Sequence, residues 1–338
     1  MPLPAGEHAW HFSLHLTQTL NQSTRSIMKI AFVFPGQGSQ AVGMLDAWSG
    51  VAAVTDTVSR ASQALGQDLG ALIAQGPADQ LNLTTNTQPA MLTAGVAFYN
   101  AWCAAGGRKP DVVAGHSLGE YAALTAAGSL SLEDAVRLVR VRADAMQAAV
   151  PVGTGAMAAI LGLDDDAVRA ACAQAAQDDV VEAVNFNAPA QVVIAGTKAA
   201  VERACELAKA AGAKRALLLP VSAPFHSSLL KPAADVLAAA LAGVTVNAPQ
   251  VQVINNVDVA SPTEPGAIRD ALVRQAWHPV RWVETLRAMK AQGVTHVIEC
   301  GPGKVLAGLT KRIDPELTGL AITDPASLEA ALAAVNGN

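Results

Sequence analysis

Charged and aromatic side chains are both scarce in this sequence. Of 338 residues, 15% are charged and 4% aromatic, against 51% hydrophobic. That balance excludes disorder over most of the length and supplies a sizeable core. The length suits one large domain or two smaller ones. Formal net charge is −5, and no long basic run occurs. Nucleic acid and anionic membrane surfaces are therefore not the expected partners. Cysteine is rare too: Cys103, Cys172, Cys205 and Cys300. None lies in a C-x-x-C pair or beside a histidine at metal-ligand spacing. We read them as reduced, mostly buried thiols of a cytoplasmic protein, with no metal site. No run of about 18 apolar residues exists, which excludes a membrane-spanning helix.

The first 27 residues are polar and carry no continuous apolar stretch, so they are not a secretory signal. Residues 1–27 are expected to be an extension outside the fold, with Met28 as the physiological start. From Met28, KIAFVF reads as a strand, followed by the glycine-bearing loop FPGQGSQ and a helix start. Residues of about 50 to 105 carry helical spacing broken by Gly and Pro. DVVAGH is a short buried strand, LGEYAALTAAG a small-residue helix ending near Gly128, and Ser131 to Met146 a second helix. That helix opens SLED, with Ser131 placed to cap it.

The middle section changes rhythm to β-α-β-β-α-β, a ferredoxin-like order over residues 152–221. We read it as a small subdomain inserted into a large one formed by 28–151 and 222–338. QVQVINNVDV, AIRDALVRQ and THVIECGPG then read as strand, helix and strand. The fold class expected is α/β, with a mainly parallel sheet in the large subdomain.

Chemistry gathers around GHSLGEY. Strand, G-x-S-x-G, helix is the setting of a nucleophile elbow. The turn is tight enough that side chains two before and two after Ser117 would collide, which Gly115 and Gly119 avoid. The hydroxyl then stands at a helix N-terminus, where free N–H groups favour a developing oxyanion. A serine needs a base. The candidates are His116, His226, His278, His296 and three histidines of the extension. His116 points away on an elbow and supports the turn; His296 lies in a strand and packs. His226 follows a strand in PVSAPFHSSLLKP, the kind of loop where catalytic groups collect. Arg137, Arg140 and Arg142 fall on different faces of one helix. Arg142 is either a solvated charge or a bidentate grip on a carboxylate. FPGQGSQ also has two readings. One is a dinucleotide loop with its third glycine, Gly43, misplaced. The other is an oxyanion loop facing the serine.

Taken together, the motifs resemble the malonyl-CoA:acyl-carrier-protein transacylases of fatty acid synthesis. They are FPGQGSQ, GHSLGEYAAL, the arginine followed by MQ, NFNAP, VSAPFHSSLLKPAA, INNVDV and GPGKVLAGLTKRI, and they span Met28 to about Ile313. The resemblance implies an α/β-hydrolase-like large subdomain with a ferredoxin-like insert. It implies Ser117 as nucleophile, His226 as base and Arg142, 25 residues after Ser117, as the group binding the malonyl carboxylate. It implies an oxyanion hole from the backbone N–H groups of Gln37 and Leu118, and a backbone carbonyl of Gln275 orienting the histidine. The family works as a Ser-His dyad with ping-pong transfer through a malonyl-serine. Its substrates are a coenzyme A thioester and holo acyl carrier protein, with no metal or redox cofactor. Carrier proteins are acidic, so Lys214, Arg215, Lys311 and Arg312 are candidates for docking. A stand-alone monomer is expected. The competing readings are a serine hydrolase using water, a catalytically dead acyl-binding module, and an acyltransferase domain of a larger synthase.

Overall fold

The computed structural model describes residues 28–336. The extension expected over 1–27 lies outside the described residues. Among those described, nine strands occur in chain order: β1 (Lys29–Phe34), β2 (Val112–Gly115), β3 (Gly155–Leu161), β4 (Val181–Ala188), β5 (Gln191–Thr197), β6 (Arg215–Leu218), β7 (Gln252–Ile254), β8 (Val294–Cys300) and β9 (Thr318–Ile322). They form two sheets, ordered β7-β2-β1-β8-β9 and β4-β5-β3-β6.

Every pairing in the five-stranded sheet is parallel. Its centre, β1, is buried from Ile30 to Phe34, as the unbroken apolar run requires of a strand covered on both faces. Ile30, Phe32 and Phe34 face the long helix Thr84–Ala104. Tyr99 and Trp102 of that helix meet Phe32 edge-on, with centroids 5.5 and 5.1 Å away, the favoured quadrupole geometry. Ala31 and Val33 face Trp282, Leu286 and Met289 on the opposite side. No helix among the described residues is long and apolar enough to cross a membrane.

The four-stranded sheet is antiparallel throughout. The helices Asp165–Ala176 and Lys198–Ala210 cover one face, burying Val168, Cys172, Val201 and Cys205 against Ile160, Val192 and Ile194. Its other face puts Met157, Val184 and Val193 against Met146, Phe225 and Leu237 of the larger unit. Backbone bonds stitch the two units together, from Phe186 N–H to Val280 O at 3.0 Å and from Val280 N–H to Val184 O at 2.8 Å.

Two sequence expectations are corrected. FPGQGSQ does not lead straight into a helix. Turns and a single 3-10 turn at Asp46–Trp48 come first, and the first α-helix is Ala52–Leu65. Gly43 and Gly50 hold positive φ of 79° and 84° there, which helix cannot accommodate. QVQVINNVDV is a strand only over Gln252–Ile254. Asn255 then folds the chain into a turn, its Oδ1 accepting from Asp258 N–H at 2.9 Å, as asparagine does at turns. The helix expected from Ser131 is Leu132–Ala148, and Ser131 caps it by accepting from Asp134 N–H at 3.0 Å.

The loops leaving the carboxyl ends of β1, β2 and β7 converge. Ligands bind at such ends in open parallel sheets.

Candidate active site

Ser117 occupies the turn between β2 and the helix Gly119–Ala126, at a φ of 55°. A Cβ on Gly115 would lie 1.8 Å from Gly119 C, and one on Gly119 would lie 2.1 Å from Phe34 O. Neither glycine tolerates a side chain. The left-handed serine is held from both flanking strands. Ser117 N–H donates to Asn256 Oδ1 at 2.7 Å, and His116 N–H donates to Phe34 O at 2.9 Å. Asn256 Nδ2 closes the clamp on Gly115 O at 2.6 Å.

His226 arrives from the loop after β6, also in the left-handed region, with φ of 66°. Its Nε2 lies 2.7 Å from Ser117 Oγ, and its Nδ1 lies 2.9 Å from the backbone O of Gln275. A carbonyl only accepts, so Nδ1 carries the hydrogen and Nε2 presents its lone pair to the serine. Gln275 ends the helix Pro265–Gln275 and is fully buried.

Arg142 enters from the helix Leu132–Ala148 and is only 2% exposed. Its Nη1 donates to Gln88 Oε1 at 2.8 Å. Its Nη2 donates to Ser117 Oγ at 3.0 Å and to Gln275 Oε1 at 3.0 Å. Each of these acceptors is neutral. Nε is buried without a partner among the described residues. Arg137 and Arg140 turn elsewhere, to Ala64 O and to Gln67 Oε1.

Gln37, Leu118, Ser117, Arg142 and His226 line one cavity of about 140 Å³ together with Gln88, and Gln275 supports it from beneath. The Leu118 and Gln37 N–H groups have no hydrogen-bond partner among the described residues, whereas the Ser117 N–H is taken by Asn256. A groove of about 820 Å³ adjoins the cavity, sharing Gln37, Leu219 and Val221. Among the described residues, no charged side chain lines that groove.

Lys214, Arg215, Lys311 and Arg312 are exposed. None lines the cavity or the groove. Lys311 and Arg312 occupy the last turn of the helix Val305–Ile313, where a cation also suits the helix dipole. His116 contacts Asn187 Oδ1 at 2.8 Å, His278 contacts Arg274 O at 2.8 Å, and His296 lies on β8. Sequence reasoning did not single out Gln88, Glu120 or Asn256. Their signals were slight: a glutamine before a proline, an acid among small apolar residues, and an Asn pair after a strand.

A model of the acyl transferase domain matches residues 31–313. The malonyl CoA-acyl carrier protein transacylase of Escherichia coli K12 is 59% identical over 305 residues, covering 90% of this chain and 99% of the relative. The chain belongs to this family of acyl transferases. The crystal structure of the acyl-carrier-protein S-malonyltransferase from Burkholderia pseudomallei 1710b is 70% identical. It superposes with a TM-score of 0.89, covering 90% of this chain and 99% of that one. A malonyl-transacylase solved in complex with its type II PKS acyl-carrier protein is 52% identical at a TM-score of 0.89, covering 92% and 100%.

Electrostatics bear on how an acyl transferase site of this build would start its reaction. Burial lowers the His226 pKa to about 3, and the neighbouring Arg142 charge pushes in the same direction. The free imidazole is therefore neutral at physiological pH, the form a base requires. An anion placed on Arg142 would cancel part of that charge and make His226 more basic. Imidazole nitrogen resonances followed by NMR from about pH 8 to about pH 5 should show His226 staying neutral. A protonation midpoint near the ordinary value of about 6.5 would contradict the burial argument.

Proposed function

We propose that the chain moves a malonyl group from malonyl-CoA to the phosphopantetheine thiol of acyl carrier protein, through a malonyl ester on Ser117. The observation that carries this reading is the buried guanidinium of Arg142, 3.0 Å from Ser117 Oγ and served, among the described residues, only by neutral acceptors. A buried cation calls for an anionic partner. One that lies against the nucleophile selects an acyl group whose carboxylate sits close to its reacting carbonyl. In malonyl a single methylene separates the two.

The steps follow from the geometry. The malonyl carboxylate takes the guanidinium hydrogens that now reach Ser117 Oγ and Gln275 Oε1. This frees the hydroxyl and sets the thioester carbonyl above it. His226 Nε2 accepts the hydroxyl proton as Oγ bonds to the carbonyl carbon. The oxyanion is met by the N–H groups of Gln37 and Leu118, each such donor typically supplying about 3 kcal/mol in the transition state. The carbon–sulfur bond breaks, and the CoA sulfur takes the proton from His226. The pantetheine thiol then gives its proton to His226 and attacks the ester, and Ser117 Oγ recovers a proton as it leaves. Such double displacement is ping-pong. The backbone carbonyl of Gln275 holds the ring throughout, as a carboxylate does in a full triad.

The adjoining groove suits the pantetheine arm that CoA and the carrier share. Gln40, Asn82, Thr84, Gln147 and Ser222 offer neutral donors and acceptors along it, matching amides rather than phosphates. Acceptance of a thiol over water is favoured by the small cavity volume, which the acyl chain fills. Lys214, Arg215, Lys311 and Arg312 remain the proposed contacts for the acidic carrier, outside the groove.

Arg142→Ala should lower kcat/KM for malonyl-CoA by about 100-fold or more, since a buried charge partner is lost, while acetyl transfer is spared or improved. Steady-state transfer with both thioesters checks this; equal loss on both would make Arg142 a structural residue. Charge reversal at Lys214 and Arg215 should raise the carrier-protein KM and leave the malonyl-CoA KM unchanged. Equal effects on both substrates would remove the docking role.

A further inference from the structure

One buried acid takes no part in the steps above. Glu120 follows the second glycine of the elbow and is 1% exposed. Carboxylates are almost never buried unless paired, yet among the described residues no cation bonds to this one. Its Oε2 accepts from Asn256 N–H at 2.9 Å and from Gln275 Nε2 at 3.0 Å. Each donor belongs to a residue that holds the reacting groups. Asn256 clamps Ser117 N–H and Gly115 O through its side chain. Gln275 gives its backbone O to His226, its Oε1 to Arg142, and a second amide hydrogen to Ser117 O at 2.8 Å.

We propose that Glu120 is a positioning residue for the transfer reaction. From beneath the elbow it fixes the Asn256 backbone and the Gln275 amide, and through them the placement of Ser117, His226 and Arg142. The proposal rests on the transfer reading above.

The amide geometry explains why an acceptor is needed. An amide can be turned over, exchanging its oxygen and nitrogen. Ser117 O and Glu120 Oε2 together take both Nε2 hydrogens, which leaves Oε1 facing Arg142. Without the carboxylate, one amide hydrogen and the Asn256 N–H would both be buried unpaired. Burial pushes the Glu120 carboxyl up to about 7. The hydrogen bonds from Gln275 and Asn256 and the Arg142 charge pull the other way, while the Asp258 charge adds to the rise. In its ionised form the carboxyl is also a countercharge for Arg142, one amide removed. The guanidinium is thus compensated without being capped, and its hydrogens stay available to a substrate.

Two variants separate the hydrogen bonds from the charge. Glu120→Gln keeps one acceptor oxygen and removes the charge. Glu120→Leu removes both. Each is compared with the wild-type enzyme for kcat and KM with malonyl-CoA, per folded molecule. Glu120→Leu should lower kcat by about 100-fold, the scale expected of misplaced reacting groups. Glu120→Gln should rescue kcat to within about threefold of wild type, and lower the malonyl-CoA KM because Arg142 is less compensated. A kcat unchanged in Glu120→Leu overturns the proposal, as does a Glu120→Gln that loses as much as Glu120→Leu. A purely structural role would lower the melting temperature of both and leave kcat per folded molecule intact, which also overturns it. If Glu120→Leu does not fold, Glu120→Gln decides: retained kcat with a lower malonyl KM supports positioning, and an unchanged KM contradicts it. Failure of the wild type itself to transfer malonyl would remove the transfer reading instead.

Discussion

A guanidinium buried against a serine is the constraint on which the site depends. Arg142 is surrounded by amide and hydroxyl oxygens rather than by a carboxylate. A charge held this way is costly to bury, and burial duly lowers the Arg142 pKa. The remaining polar groups arrange themselves around that cost. Gln88 and Gln275 solvate the cation, Tyr121 lies beneath it with the ring centroid 5.8 Å away, and Glu120 balances it at a distance. Burial keeps His226 neutral, and the same positive field pushes in that direction. An arriving carboxylate therefore would do two things at once: it would neutralise Arg142 and raise the basicity of the histidine beside it.

The fold supplies these groups from distant parts of the chain. Ser117 comes from the end of β2 and Gln37 from the end of β1, while Asn256 follows β7. Arg142 and Gln275 come from helices. Only the packing of a parallel sheet under helices brings the five together, and the second sheet closes one side of the cavity with Met157 and Asn185. Two left-handed residues, Ser117 and His226, face each other across it. The Ser117 backbone is held by Asn256, and the His226 ring by the backbone carbonyl of Gln275, so the local strain is set against a rigid frame.

How much of this was legible in the sequence varied with the kind of constraint. The elbow was legible because its glycines answer a hard steric demand, and a Cβ at either position collides with backbone. The β-α-β-β-α-β rhythm of the middle section was legible because strands and helices there differ cleanly in period. The short β7 was not, since QVQVIN alternates well enough for a longer strand until Asn255 turns the chain. Arg142 could not be told from Arg137 and Arg140 by spacing alone, because burial of a cation is a tertiary property. The position of Gln275 came only from the resemblance, as a backbone carbonyl leaves no signature in the side chain. Glu120 and Asn256 stayed silent for a related reason: they act on neighbours rather than on solvent-facing chemistry.

The central claim is that Ser117 carries the malonyl group between two thiols. Intact-protein mass after brief incubation with malonyl-CoA tests it most directly, comparing the wild type with Ser117→Ala. The account expects a malonyl adduct on the wild type alone, discharged rapidly by holo acyl carrier protein and slowly by water. No adduct, or one lost to water as fast as it forms, would contradict the transfer mechanism and favour a hydrolase.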